Sequence, residues 1–248
     1  MPTPEVLAAI AAAFVLAGLV KGTVGLGLPI ISIALLAAVV GLKTAVALFL
    51  VPAMITNLWQ AFTGGHFMAL LRRLWPLLIT AAVGIWFGVK ILVAADARLL
   101  MGFLGVVLIV YAGLGLTRAE MPRPGRWEPW LTPIMGITGG VMFGMLGNFM
   151  VPGVLYIQSL GLSRDMFVQA LGITFLAISS ILAITLQRHA LMPPETFLLS
   201  AAAVVPTMIG VFAGQRLRKS LSEVQFRKVV FIAIGVTGVY MIARAVLG

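Results

Sequence analysis

Runs of apolar residues about as long as a bilayer is thick follow one another through almost the whole chain. A transmembrane helix needs roughly 20 such residues. Six runs meet that length: 44–63, 74–95, 97–117, 166–187, 196–215 and 226–246. Because 61% of all residues are apolar and only 10% are charged, a soluble domain and a disordered chain are excluded. The sequence predicts an all-α, polytopic integral membrane protein.

Two further apolar segments, 5–41 and 130–161, are too long for one helix and are interrupted by glycine. The first breaks between Lys21 and Pro29, and the second breaks between Gly144 and Pro152. Glycine frees the backbone, and proline begins a helix well but cannot continue one. Each segment is therefore predicted to be a helical hairpin, with a helix, a tight tip and a second helix.

The two halves of the chain follow the same plan. Glycines of the first half recur in the second at nearly constant spacing: Gly18, Gly22 and Gly25 as Gly140, Gly144 and Gly147, and Gly84 and Gly88 as Gly210 and Gly214. Such internal similarity indicates a duplication. We predict a first transmembrane repeat at 1–117, a cytoplasmic linker at 118–129 and a second transmembrane repeat at 130–248. Each repeat would hold a hairpin and three further transmembrane helices.

The basic residues predict how the repeats are oriented. If each broken segment crosses once, Lys and Arg show no bias between the two faces, whereas hairpins that return give the bias expected of cytoplasmic loops. The rich face would carry Arg72, Arg73, Arg118, Arg123, Arg126, Arg164, Arg216, Arg218, Lys219, Arg227 and Lys228. The poor face would keep Lys43, Lys90, Arg98, Arg188 and Arg244. We therefore predict inverted repeats in the bacterial cytoplasmic (inner) membrane, with both termini outside.

The net charge of +10 follows from these anchors between apolar runs, so the partner they indicate is the lipid bilayer and not a nucleic acid.

Two inverted hairpins would bring their tips toward each other inside the protein. Unwound backbone in a membrane survives only where it lines a cavity or contacts a substrate. The positive end of the helix after each tip favours an anion. The tips are thus predicted to hold a small anionic substrate between them.

The candidate substrate-binding residues lie at the two tips and on the spans beside them. They are Lys21, Gly22, Thr23, Gly25 and Gly27 at the first tip, Gly144, Gly147 and Asn148 at the second, and Asn57, Gln60, Ser179 and Ser180 on the spans. Gln158, Gln169 and Thr174 are weaker candidates. Each has a structural alternative: Lys21 can extend to the membrane surface, the glycines can pack helices, and the polar side chains can bond between helices.

The positions of the acidic residues and of the two histidines argue against two further kinds of site, a buried carboxylate for cation transport and a metal or cofactor centre. All seven Asp and Glu residues fall at predicted span ends or in loops, which disfavours a cation pump built on a buried carboxylate. The chain has no cysteine, and His66 and His189 have no carboxylate three or four residues away, so neither a metal nor a cofactor is expected.

The stretch from Gly18 to Pro29, the segment Asn57-Leu-Trp59-Gln60-Ala61 and the glycine-rich second repeat resemble the sulfite exporter TauE/SafE family of small anion permeases. The resemblance covers nearly the whole chain. It implies a membrane permease that moves sulfite, sulfonates or related sulfur-containing organic anions across the cytoplasmic membrane, in agreement with the anion site predicted from the residues.

We predict an exporter of a small sulfur-containing anion that works by alternating access and is not an enzyme. Three alternatives remain open. An anion channel shares every feature named so far. An integral membrane enzyme acting on lipid-linked substrates would need a nucleophile or clustered carboxylates inside the membrane, which the sequence does not place there. A non-transporting assembly subunit would have no use for broken hairpins. A homo-oligomer is compatible with all of them.

Overall fold

The computed structural model describes residues 3–117, 121–217 and 223–247. Nearly all of these residues are helical, and none of them lies in a β-strand. The helices are α1 (Pro4–Val24), α2 (Leu28–Val40), α3 (Leu42–Leu48), α4 (Leu50–Phe62), α5 (Phe67–Ala94), α6 (Ala97–Thr117), α7 (Glu128–Leu146), α8 (Leu155–Ser159), α9 (Arg164–Arg188), α10 (Pro194–Ala202), α11 (Val204–Leu217) and α12 (Glu223–Leu247). The prediction of an all-α chain is confirmed.

Within the described part of the chain, 8 helical segments are long and apolar enough to cross a membrane. Six of them overlap the six predicted spans: Leu42–Phe62, Phe67–Ala94, Ala97–Thr117, Arg164–Arg188, Pro194–Leu217 and Lys228–Leu247. The other two, Pro4–Thr23 and Gly125–Leu146, are the first arms of the glycine-broken segments. The prediction of a polytopic membrane protein is therefore confirmed.

The second arms of the broken segments are shorter than the first. After the first tip, α2 has 13 residues and packs back against α1. After the second tip, the chain makes an irregular turn at Met150–Val154 and continues into the 5 residues of α8. A helix rises about 1.5 Å per residue, and the hydrocarbon core is about 30 Å thick. Neither second arm is long enough to cross a bilayer by itself.

Two of the membrane-length spans are interrupted in the middle. The span Leu42–Phe62 consists of α3 and α4, and the span Pro194–Leu217 consists of α10 and α11. Proline has no N–H, so Pro52 cannot donate to the carbonyl of Leu48 four residues earlier. The hydroxyl of Ser200 donates to that carbonyl at 2.7 Å and accepts the N–H of Val51 at 3.2 Å. Ser200 thus satisfies backbone groups that the interruption would leave unpaired.

The chain packs as two compact units. Unit 1 comprises Met1–Pro52, Ala95–Ala119 and Leu191–Gly248, and unit 2 comprises Ala53–Ala94 and Glu120–Ala190. In unit 1, α1 packs against α11, and α6 packs against α12. In unit 2, α5 packs against both α7 and α9. Each unit therefore takes helices from both halves of the sequence.

Paired glycines make the main helix contact of each unit close. In unit 1, a Cβ built on Gly214 of α11 would lie 3.1 Å from the Cα of Gly22 in α1. In unit 2, a Cβ built on Gly88 of α5 would lie 3.0 Å from the Cα of Gly144 in α7. The same Cβ atoms would lie only 2.2 Å from the carbonyl oxygen of Leu19 and 2.3 Å from that of Val141, closer than real Cβ atoms approach any atom, so glycine at these positions allows the helices to touch.

These two contacts correspond to each other under the internal repeat. Gly22 is the counterpart of Gly144, and Gly214 is the counterpart of Gly88. A first-half helix thus meets a second-half helix in both units, and the same pair of repeat positions makes each contact. This correspondence supports the duplication, while its inverted orientation and the repeat boundaries stay predictions.

Residues 118–120 of the predicted linker, and the predicted anchors Arg118, Arg218 and Lys219, lie outside the described residues.

Candidate functional site

The first tip is a two-glycine turn in unit 1. Helix α1 closes at Gly25, whose φ is 85° and whose N–H donates to the carbonyl of Lys21 at 2.7 Å. Gly27, with a φ of 104°, then precedes α2. Both backbone conformations are left-handed, a region that side chains with a Cβ rarely adopt. The sequence Gly25-Leu26-Gly27 therefore lets the chain turn within three residues and begin a new helix.

Lys21 lies in the last turn of α1, next to this turn, and only 8% of its surface is exposed. The following residues Gly22 and Thr23 are also buried. The Thr23 hydroxyl donates within its own helix to the carbonyls of Leu19 and Val20, at 3.0 and 2.9 Å. Thr23 is therefore occupied by a backbone bond, and Lys21 is the basic side chain that the first tip contributes.

The helix that follows the first tip, α2, has a stabilising feature at each end. Its first turn contains Pro29, which favours a helix start. At its other end, Nη1 of Arg244 in α12 donates to the carbonyl of Ala38 at 2.7 Å. The last four carbonyls of a helix lack partners within the helix and carry its partial negative charge. Arg244, predicted only as a topology anchor, thus also caps α2.

The second tip, in unit 2, is built differently. Helix α7 closes at Gly147, whose φ is 67° and whose N–H donates to the carbonyl of Phe143 at 2.8 Å. Asn148 follows with only 2% of its surface exposed, and its Oδ1 accepts the N–H of Met150 at 2.9 Å. This bond fixes which end of the amide faces the backbone, so that Nδ2 is directed away from it.

An aromatic cluster joins the second tip to α9. The rings of Phe143, Phe149 and Phe175 meet edge to face, with centroids 6.1–6.2 Å apart. The Phe149 ring lies against Gly139 and Gly153, because a Cβ at either glycine would collide with it. These ring contacts hold the second tip against the part of α9 that carries Phe175.

Three buried polar atoms of unit 2 have no hydrogen-bond partner among the described residues. They are Nδ2 of Asn148, Oγ1 of Thr174 and Oγ of Ser179. Thr174 and Ser179 have no exposed surface. Leaving a buried polar group unpaired costs roughly 1–3 kcal/mol, and such groups are rare in folded proteins and associated with function. Thr174, a weaker candidate from sequence, therefore joins Asn148 and Ser179 as a leading one.

The other predicted substrate-binding residues differ from one another in burial and in hydrogen bonding. Asn57 is buried and Gln60 is partly buried, while the hydroxyl of Ser180 donates to the carbonyl of Leu176 at 2.8 Å. Gly22 and Gly144 make the helix contacts described above, so packing accounts for the absence of a side chain at both. Any direct contact of these residues with a substrate stays a prediction.

Gln169 has a structural role that its polarity alone did not identify. Its Nε2 donates to the carbonyl of Ala61 at 3.0 Å, and its Oε1 accepts the N–H of His66 at 2.9 Å. Both amide ends are therefore used to hold the loop after α4 against α9.

Among the described residues, no group of three or more His, Asp or Glu side chains is placed to hold a metal ion.

The fold is that of a multi-pass helical membrane protein in which two apolar segments are interrupted at glycine-containing tips. Residues 10–241 match the family model described as sulfite exporter TauE/SafE. The chain belongs to this family, which consists of permeases that export sulfite and other anions. The family is one of transporters, not enzymes. No curated protein and no solved structure matches the chain.

Proposed function

We propose that this protein exports a small sulfur-containing anion, sulfite or an organosulfonate, across the bacterial cytoplasmic membrane by alternating access. The observation that carries the proposal is the burial of Lys21 at the first tip, with 8% of its surface exposed. A basic side chain inside a membrane-length helix is costly, and it persists where it serves a substrate or ion path.

The local geometry favours an anion at this tip. The backbone of Lys21 is bonded to Gly25, so the lysine adjoins the turn that leads into α2. The N-terminal end of α2 carries a partial positive charge and backbone N–H groups without partners in the helix. A lysine side chain and a helix N-terminus on one short turn together form an anion site of the kind found in transporters with broken helices.

Export requires no second substrate on energetic grounds. With the cell interior negative, outward movement of one anionic charge is favoured by about 2.3 kcal/mol per 100 mV. No carboxylate lies within the predicted spans to relay a proton or bind Na⁺. A uniport driven by the membrane potential is therefore the simplest mechanism for this chain.

The central test measures sulfite efflux from proteoliposomes at several imposed potentials, with wild-type protein and Lys21→Gln. The matched control is Lys90→Gln, because Lys90 is exposed and stacks on the Trp86 ring at 3.4 Å from its centroid. We expect Lys21→Gln to reduce efflux about tenfold or more, since it removes a charged hydrogen-bond donor. Wild-type efflux with an unchanged potential dependence in Lys21→Gln would overturn the role of Lys21.

The same vesicles separate a carrier from an anion channel. An alternating-access carrier saturates and exchanges labelled sulfite against sulfite trapped on the other side, whereas a channel does not show counterflow. We expect saturation and counterflow. A linear flux without counterflow would favour the channel.

A further inference from the structure

One arginine of unit 2 joins the two ends of the second broken segment. Arg73 of α5 donates through Nε and Nη2 to the two carboxylate oxygens of Glu128, at 2.8 and 2.9 Å. Its Nη2 also donates to the carbonyl of Leu160 at 3.3 Å. Glu128 begins the first arm, α7, and Leu160 caps the end of the second arm, α8. The second arm therefore comes back to the end of the unit at which the first arm begins.

A buried link ties the same two arms together without Arg73. The hydroxyl of Thr132 in α7 donates to the carbonyl of Glu128 at 2.6 Å and is also bonded to the hydroxyl of Tyr156 in α8. Thr132 and Tyr156 are buried, whereas the side chains of Arg73 and Glu128 are 39% and 29% exposed. Partly exposed ion pairs contribute little to stability. Loss of Arg73 should therefore leave unit 2 folded, with the end of the second arm less firmly held.

The first broken segment, in unit 1, ends in the same way. Arg244 of α12 donates to the carbonyl of Ala38 in α2 at 2.7 Å. Ala38 and Leu160 are both at the C-terminal end of a second arm, where helix carbonyls lack partners within the helix. The two residues are as far apart in the chain as Gly22 and Gly144, so they are repeat counterparts to within one residue.

The two arginines are not counterparts under the repeat. At the spacing that relates Gly88 to Gly214, the residue corresponding to Arg73 is Leu199. Duplication therefore explains why the two carbonyls correspond, but not why each of them meets an arginine.

A shared requirement of the second arms accounts for both arginines. The helix α8 has 5 residues and α2 has 13, and helices shorter than about 12–15 residues are marginal by themselves. Contacts with neighbouring helices must therefore determine where each second arm lies. Each tip is continuous with its second arm, so a shift of the arm displaces the backbone of the tip.

The predicted orientation gives each membrane face one of these contacts. Arg73 belongs to the predicted face that is rich in basic residues, and Arg244 belongs to the predicted face that is poor in them. Each arginine would then hold one second arm from its own side of the membrane.

We propose that Arg73 and Arg244 are positioning residues for transport, each of which holds the second arm of one broken segment and thereby sets the geometry of its tip. Neither arginine contacts the anion. This inference rests on the proposed function, because the tips are the proposed place of the anion. It gives Arg73 a role beyond that of a topology anchor.

The first test measures the kinetics of sulfite efflux from proteoliposomes. Arg73→Gln is expected to raise the apparent KM about threefold or more while the maximal rate changes less, because a displaced tip binds the anion less well. Arg72→Gln is the matched control, since Arg72 is the neighbouring residue, has the same charge and is exposed. It should keep the wild-type KM. Equal KM values for the two variants would overturn the positioning role of Arg73.

Arg73→Lys separates positioning from anchoring. Lysine keeps the positive charge that a topology anchor needs, but it lacks the planar fork that pairs with both oxygens of a carboxylate. The KM should therefore rise in Arg73→Lys as it does in Arg73→Gln. A wild-type KM in Arg73→Lys would show that the charge alone matters and would overturn the proposal for this residue. A wild-type KM in Arg244→Gln would overturn the role shared by the two arginines.

A second readout does not depend on transport. Ser159 lies in α8 with 5% of its surface exposed, and the chain has no cysteine, so Ser159→Cys reports how firmly the second arm is held. A thiol reagent should label Ser159→Cys several-fold faster when it is combined with Arg73→Gln than when it is combined with Arg72→Gln. Equal labelling rates would show that Arg73 does not hold the arm and would overturn the proposal.

The two readouts together separate this inference from the proposed function. Faster labelling with an unchanged KM would mean that Arg73 only stabilises the arm, which rejects positioning and retains export. Absence of sulfite efflux from wild-type vesicles, with labelling that depends on Arg73, would reject the proposed export and retain the hold of Arg73 on the second arm.

Discussion

The hydroxyl of Ser200 donates to the carbonyl oxygen of Leu48 at 2.7 Å, across the interruption between α3 and α4. The same hydroxyl accepts the N–H of Val51, so one fully buried side chain pairs two backbone groups beside Pro52. In a membrane-length segment no water replaces such partners. A single serine of α10 thus makes a proline-interrupted span tolerable.

Ser200→Ala is therefore expected to lower the free energy of unfolding by about 1–3 kcal/mol, because it removes the partner of the buried Leu48 carbonyl and of the partly buried Val51 N–H. Ser200→Thr should retain most of the stability if its methyl group is accommodated. The measurement is the Tm of the purified protein in detergent. Ser180→Ala, which removes only a hydroxyl bonded within its own helix, provides the comparison and should change the Tm much less.

The glycine contacts predict a position-specific response to alanine. Gly214→Ala in unit 1 and Gly88→Ala in unit 2 should each separate two packed helices and lower stability by about 1–3 kcal/mol, as overpacking does. Gly113→Ala is the control, since a Cβ at Gly113 meets nothing within 4 Å. Alanine favours a helix more than glycine does, so Gly113→Ala should be neutral or stabilising. Equal Tm values for all three variants would contradict the described packing.

Arg244→Gln tests the cap on α2. Losing the bond to Ala38 should lower stability by no more than about 1 kcal/mol, because the pair is exposed. If α2 presents its N-terminus to the anion, the apparent KM for sulfite should rise while the maximal rate changes less. Arg98→Gln is a matched control, since Arg98 is exposed and predicted to lie on the same face. A KM equal to that of Arg98→Gln would show that the cap serves only stability.

The predicted orientation can be tested cleanly because the chain contains no cysteine. A membrane-impermeant thiol reagent should label Thr3→Cys in intact cells, because both termini are predicted to be outside. Met121→Cys, in the predicted cytoplasmic linker, should be labelled only after the membrane is permeabilised. Labelling of Met121→Cys alone in intact cells would reverse the orientation.

Sequence reasoning identified the spans because their signal is local. Roughly 20 apolar residues in a row and glycines next to a proline report on the chain segment that contains them. The interruption at Phe49 was not predicted, although Pro52 is visible in the sequence, because the residue that compensates for it, Ser200, is distant in the chain. Arg244 was assigned to the membrane surface for the same reason, since its contact with Ala38 depends on tertiary packing.

The candidate site could be predicted only in part. Asn148 is predicted from its place at the second tip and Ser179 from the symmetry of the two halves, and both are buried with no hydrogen-bond partner for their donor atoms among the described residues. From the sequence, Thr174 is a weaker candidate than Ser180, whereas in the structure the Ser180 hydroxyl donates to the carbonyl of Leu176 and the Thr174 hydroxyl has no partner among the described residues. Whether a hydroxyl bonds its own helix or turns away from it depends on its rotamer. Sequence spacing carries no information about that choice.

The crosswise glycine contacts also constrain how the protein is made. Translation delivers α1 early, but its partner α11 leaves the ribosome only when most of the chain has been synthesised. Helix α5 likewise precedes its partner α7, though by a much shorter stretch. After its insertion, α1 therefore lies in the membrane without a partner helix on its glycine face until α11 is inserted. Unit 1 is completed only in the last stage of biogenesis. A ribosome-stalled chain that ends before α11 should be degraded by membrane proteases faster than one that includes it.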